Sequence, residues 1–221
     1  VKLALREVWS ACVERIKMAV IKPMIRSNIC INSHPLGCAQ DTRNQIAYVV
    51  AQKAKRGTKT AAEGGYAPKN VLVLGCSTGY GLASRISAAF EYGADTIGVS
   101  FEKEATETKA GTPGFYNNMT FDKEAQKAGL KSKTFNMDAF SDECRQAVID
   151  EAKKQGITFD LIIYSLASPV RTDPDTKVLY RSVIKPIGQA FSGPSLDMMT
   201  GKISIQEAKP AEGDDIPNTV K

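Results

Sequence analysis

The stretch VLVLGCSTGYGLASR, Val71–Arg85, decides the fold. Val71–Leu74 is wholly apolar, a glycine-rich turn follows, and Leu82–Tyr92 then carries apolar residues at helical spacing until Gly93. A short strand without polar alternation belongs inside a sheet covered on both faces, and such sheets are parallel and joined by helices. Gly75, Gly79 and Gly81 stand between strand and helix with the spacing G-x-x-x-G-x-G. Glycines there permit a tight turn and let the backbone approach a pyrophosphate. The new helix offers unpaired N–H groups and a positive dipole end to an anion, and Ser77 and Thr78 add hydroxyl donors. We read the segment as a phosphate-binding strand–turn–helix.

The same alternation continues outward. Thr96–Phe101, Ser132–Met137 and Asp160–Ser165 are read as strands. Between them, Phe121–Ala128 is a helix stopped by Gly129, and Ser141–Lys154 is a helix with Ser141 at its N-cap. The fold class is α/β, a doubly wound parallel sheet. Upstream, Asp41–Ala54 is a helix with Ile46, Ala47, Val50 and Ala54 on one face. Ile21–Cys38 reads as irregular or extended around Pro23, Pro35 and Gly37, and Lys55–Asn70 as a loop. After Pro169 the alternation ceases. Arg171–Lys177 is turn-rich, and Val178–Ile184 and Lys202–Glu207 are expected to pair as a hairpin or flap around a Gly193–Gly201 loop.

This divides the chain into a leader, 1–17; a segment packing on the core, 18–70; a nucleotide-binding core, 71–170; and a loop and hairpin region, 171–221. The leader has helix-spaced Leu5, Val8, Cys12 and Ile16, but Glu7 and Glu14 are wrong for an acid-poor transit peptide, and Met18 is a plausible start. PAEGDDIPNTVK at the far end has no cap or closing core element, so C-terminal truncation is expected.

Composition narrows the function classes. The net charge of +5 comes from scattered lysines with no basic run, which reads as solvated faces and not as a nucleic-acid surface. No apolar run approaches the ~18 residues a membrane helix needs. Five cysteines, an odd number without a CxxC pair, and one histidine argue against a disulfide scaffold and a zinc site. A reducing, intracellular setting is expected.

Glu102, at the end of the second strand, is placed to accept hydrogen bonds from the adenosine ribose hydroxyls and to repel a 2′-phosphate, favouring NADH over NADPH. Asp138–Ala139 follows the third strand, where an adenine edge would lie. The nearest rival is an S-adenosylmethionine-dependent methyltransferase, whose first motif resembles VLVLGCSTGYG and which also carries an acid after the second strand. Against it stand Val73, where that class usually has an acid, the Gly79-Tyr80-Gly81 ending, and the segment Ser165–Pro174. A non-catalytic nucleotide-binding module is the third reading.

YSLASPVRTDP (Tyr164–Pro174), with GCSTGYGLASRI, GVSFEK, NMDAFSDE and NICINSHPLGC, resembles the trans-2-enoyl-CoA reductase family, which includes enoyl-ACP reductases. The likeness runs from about Ile21 to Lys221 and leaves residues 1–17 outside. It implies a monomeric, cytoplasmic, Rossmann-based enzyme, similar to short-chain dehydrogenases. Such an enzyme reduces the C2–C3 double bond of an enoyl thioester, carried on CoA or acyl carrier protein, with NADH in fatty-acid synthesis. Carried over by motif, the cofactor contacts are Gly75, Cys76, Ser77, Thr78, Gly79, Tyr80, Phe101, Glu102, Asp138, Ala139, Leu166 and Ala167, the last two beside the nicotinamide.

The family's catalytic pair has the form Tyr-x8-Lys, in which the tyrosine hydroxyl stabilises the charge on the thioester oxygen. None of the seven tyrosines, Tyr48, Tyr66, Tyr80, Tyr92, Tyr116, Tyr164 and Tyr180, fits it. No catalytic residue and no metal ligand is therefore assigned, and the chain is expected to carry most of the cofactor site without the chemistry. His34 is read as structural, Cys76 as a small side chain against the sheet, and Tyr164 as strand-end packing.

Overall fold

The computed structural model describes residues 25–26, 29–30, 33–57 and 65–220. The expected leader, 1–17, Met18, and residues 58–64 of the expected loop lie outside them. Two short strands, β1 (Ile25–Arg26) and β2 (Ile29–Cys30), pair antiparallel ahead of the first helix.

Four strands form the central sheet: β3 (Asn70–Leu74), β4 (Asp95–Ser100), β5 (Ser132–Asn136) and β6 (Leu161–Tyr164). Their spatial order is β5-β4-β3-β6 and every pairing is parallel. The order runs one way from β3 to β5 and reverses at β6, so the switch point lies between β3 and β6. In such sheets the crevice beyond the carboxyl ends at that point is where ligands bind. The expected doubly wound parallel architecture is therefore the one observed.

Helices differ from expectation at their ends. The first, α1 (Pro35–Arg56), begins six residues before the expected Asp41. Pro35 and Gly37 look like breakers in isolation. Pro35 instead occupies the first helical position, where its fixed φ suits a helix and its missing N–H costs nothing. The His34 ring is the N-cap, its Nδ1 accepting from Gly37 N–H at 3.0 Å. The helix after the glycine turn splits into α2 (Gly79–Ile86) and a wider π-helical segment, Ser87–Glu91, before Gly93 ends it at φ +77°. The next helix, α3 (Pro113–Lys127), starts eight residues before the expected Phe121, again with proline inside its first turn. The last crossover helix, α4 (Asp142–Gln155), has Ser141 as its N-cap, with Oγ accepting from Cys144 N–H at 3.1 Å.

On one side of the sheet α1, α2 and α3 pack together, with Ile46, Leu82, Ile86, Phe121 and Ala125 in one cluster, and Val71 and Val73 of β3 meet Ala88 and Ala94 beneath them. The other packs under α4, where Cys144 and Val148 meet Leu72, Ile97 and Val99. Cover on that second face stops short of β6. Ile162 and Tyr164, in register with Leu72 and Leu74, are exposed.

Within the first face lies a charge with no access to water. Arg85 is 0% exposed. Its Nε donates to Thr96 Oγ1 at 3.1 Å, and its two terminal nitrogens donate to Thr134, Ser132, Asp122 and the Lys133 carbonyl. Its Cζ lies 4.2 Å from the centre of the Phe121 ring. A Cβ on Gly98 would stand 2.6 Å from the guanidinium carbon, so glycine in mid-strand makes the space.

After β6 the chain forms two antiparallel hairpins. β7 (Val170–Thr172) pairs with β8 (Leu179–Arg181), and β9 (Phe191–Leu196) with β10 (Ile203–Ala208). This corrects the expected pairing of Val178–Ile184 with Lys202–Glu207. Each partner lies close in sequence, across a turn that costs little loop entropy. A short helix, α5 (Asp215–Val220), follows.

Candidate functional site

The turn after β3 is held from behind, with Gly75 and Cys76 both donating N–H groups to the Val99 carbonyl, at 2.8 and 3.1 Å. Gly75 has φ +86°, and a Cβ there would stand 2.1 Å from the Ser165 carbonyl oxygen. A Cβ on Gly81 would lie 1.9 Å from the Gly75 carbonyl. Both positions require glycine because backbone meets backbone. Thr78 is the N-cap residue of α2 but makes no side-chain cap, so the first N–H groups of that helix have no side-chain acceptor.

Beside this helix end opens a crevice of about 480 Å³, within the usual range for a small-molecule site. Its wall gathers residues from beyond the carboxyl end of every strand in the sheet. Gly75, Ser77 and Thr78 follow β3; Phe101 and Glu102 follow β4; Asp138 and Ala139 follow β5; Leu166 and Ala167 follow β6. Strand-end and loop neighbours complete it, with Val170, Thr172 and Leu179 supplied by the first hairpin.

Three of the expected cofactor residues lie off this wall. Cys76 is buried beneath the turn, its thiol donating to Asn118 Oδ1 at 3.5 Å and its sulfur accepting from Arg85 at 3.6 Å. Burial pushes its pKa up, so the thiol stays protonated at neutral pH. Gly79 and Tyr80 open α2, and the Tyr80 side chain is 89% exposed. Tyr164 is exposed on β6 and is also off the wall.

The two acids on the wall have internal partners. Glu102 accepts from Ser77 Oγ at 2.5 Å through Oε1 and from Thr112 Oγ1 through Oε2. Asp138 Oδ1 accepts from Phe140 N–H at 2.9 Å, closing a turn ahead of α4. Among the described residues there is no cluster of three or more His, Cys, Asp or Glu side chains able to hold a metal ion. No described helix is long and apolar enough to cross a membrane.

Sequence reasoning missed the support under the turn. Asn117 Nδ2 donates to the Ser77 carbonyl at 3.0 Å, and Thr42 of α1 donates to Asn117 Oδ1 at 3.3 Å. Asn118 Nδ2 donates to Ser100 Oγ at 2.8 Å. The sequence carried no local signal for this, because Asn117 and Asn118 precede the expected helix and only the fold buries them, and buried amides need partners.

The family model described as the NAD(P)H binding domain of trans-2-enoyl-CoA reductase matches residues 20–107, and that of the trans-2-enoyl-CoA reductase catalytic region matches residues 109–221. The crevice draws its wall from both. The chain is 57% identical over 202 residues to the trans-2-enoyl-CoA reductase [NADH] of Treponema denticola, covering 91% of this chain and 50% of that one. It is 50% identical over 201 residues to an enoyl-[acyl-carrier-protein] reductase [NADH] of Flavobacterium psychrophilum, covering 91% and 48%. The crystal structure of the Treponema denticola reductase in complex with NAD superposes with a TM-score of 0.81 at 56% identity, covering 90% of this chain and 49% of that one. The Clostridium acetobutulicum reductase in complex with NADH gives 0.79 at 40%, covering 90% and 48%. The chain spans about half the length of the curated relatives it matches.

Proposed function

This chain belongs to the trans-2-enoyl-CoA reductase family, and we propose that it forms the cofactor-binding part of an enzyme that reduces the C2–C3 double bond of an enoyl thioester with NADH. The observation that carries this is the crevice at the β3/β6 switch point, walled from all four strand ends and facing the uncapped start of α2. A dinucleotide fits the residues present, because the Gly75–Gly81 contact leaves no side chain between the turn and the helix end. NADH, when bound, would supply the hydride to C3. The turn backbone and the Thr78 hydroxyl would hold the pyrophosphate, the single Ser77 hydroxyl proton being taken by Glu102. Glu102 would meet the adenosine ribose and favour NADH, Asp138–Ala139 would meet the adenine, and Leu166–Ala167 the nicotinamide. Family membership supports an acyl thioester on CoA or acyl carrier protein as substrate, a place in fatty-acid synthesis, a cytoplasmic location and a monomeric state. With no Tyr-x8-Lys match, we assign this chain no catalytic residue.

The test is a fluorescence titration of the 221-residue chain with NADH, NADPH and S-adenosylmethionine. NADH is expected to bind, with NADPH weaker. Binding of S-adenosylmethionine without NADH would overturn the proposal in favour of a methyltransferase.

A further inference from the structure

A glutamate at a strand end has several rotatable bonds and can swing into solvent, so its type alone does not make it reject a phosphate. Glu102 is not free to do so. Its backbone is fixed first, with N–H donating to Asn136 Oδ1 at 2.7 Å and its carbonyl accepting from Asn136 Nδ2 at 3.0 Å. Each carboxylate oxygen then takes one hydroxyl, Ser77 from the phosphate turn and Thr112 from the start of α3.

Thr112 occupies the N-cap position of α3, where a threonine hydroxyl ordinarily accepts from the helix's own first turn. It makes no such cap; its hydroxyl donates to Glu102 Oε2, the nearer acceptor, with the Lys103 carbonyl a second one at 3.3 Å. The residue is anchored for that task. Thr112 N–H donates to the Lys103 carbonyl at 2.9 Å. Its neighbour Gly111 donates to the Tyr116 hydroxyl at 2.9 Å and accepts from the buried Ser33 hydroxyl at 2.5 Å. The first turn of α3 closes tightly over the carboxylate, since a Cβ on Gly114 would stand 2.2 Å from Glu102 Oε1.

We propose that Thr112 is a specificity-positioning residue: together with Ser77 it clamps the Glu102 carboxylate against the crevice wall, so that a dinucleotide bearing a 2′-phosphate is rejected. This rests on the proposed NADH site and assigns a role to a residue some distance along the chain from the phosphate turn. A carboxylate held in place cannot turn away from an incoming phosphate, and the repulsion is paid in full.

The experiment measures dissociation constants of the whole chain for NADH and NADPH in the wild type, Thr112→Val and Thr112→Ser. Valine keeps the shape and removes the hydroxyl, and it is expected to improve NADPH relative to NADH by about tenfold, the scale of one charge-assisted hydrogen bond. Serine restores the donor and is expected to keep the wild-type ratio. Gly114→Ala, which displaces the carboxylate and leaves the Thr112 hydroxyl, is expected to lower the ratio as well and serves if Thr112→Val does not fold. An unchanged ratio in the folded variants, or an equal loss for both nucleotides, overturns the inference. A wild type that binds both equally also overturns it. A wild type that binds neither sinks the functional proposal itself, and this inference with it.

Discussion

Val71 and Val73 of β3 are 0% exposed, whereas Ile203 and Ile205 of β10 stand 74% and 66% exposed, although each pair lines one face of its strand. β3 has parallel neighbours on both sides, and β10 is paired along one edge by a single antiparallel partner. The difference lies in the third layer. The central sheet has helices over its faces, while β9 and β10 pair only with each other. Hydrogen bonding shapes a hairpin, but burial needs something packed on it, and an isolated two-stranded hairpin is marginal on its own. The two regions should therefore respond very differently to the same kind of damage.

The largest contrast is expected between Arg85→Ala and Ile205→Ala. Removing Arg85 opens a cavity in the core and takes the donor from Thr96, Thr134 and the Lys133 carbonyl, while the partly exposed Asp122 keeps Ser132; such a loss costs about 2–5 kcal/mol. Ile205→Ala on the open hairpin should stay within about 0.5 kcal/mol. Urea midpoints measure both. Similar costs would mean that the hairpin is packed as firmly as the sheet.

A narrower contrast uses two glycines with the same backbone sign. Gly75 has φ +86° and Gly201 φ +68°, so alanine is strained at either. At Gly201 nothing lies within 4 Å of the added Cβ, and the cost is the strain alone, about 1 kcal/mol. At Gly75 the Cβ meets the Ser165 carbonyl, so thermal denaturation should show a clearly larger loss, and NADH binding should fall with it.

The smallest effect is expected at the helix surface over the sheet, where Glu124 pairs with Lys127 at 2.9 Å and Arg43 at 3.1 Å. Hydrogen bonds from Lys127, then Arg43, hold its carboxyl below the ordinary value of 4.5. A carboxyl with a depressed folded pKa stabilises above the unfolded value and loses that contribution as pH falls through the folded one. Glu124→Gln should therefore cost under about 1 kcal/mol at pH 7, with the difference from wild type shrinking below pH 4.5. A difference that persists in acid would mean that shape, not charge, matters there.

Local pattern was enough for the parallel strands, because a wholly apolar run such as Val71–Leu74 has few alternatives, and for the glycine turn, because its spacing and strand–helix context sit in one contiguous stretch. The same logic placed Ser141 as a cap, since capping joins residues three apart. Local pattern failed where one residue has two uses. Pro35 and Gly37 read as breakers until His34 caps a helix around them, and Val178–Ile184 reads as a strand without saying that Val170–Thr172 is its partner.

By itself, then, the sequence determined the sheet's strands, the glycine turn and the family, all of which rest on short-range periodicity and contiguous motifs. Only the tertiary structure decided that Arg85 is a core residue, that Asn117 braces the turn, and that Thr112 and Ser77 close on Glu102. The physical reason is that a polar side chain's role is set by the partner that desolvates or binds it. Here that partner sits a strand or a helix away in the chain, and only the folded sheet brings the two together.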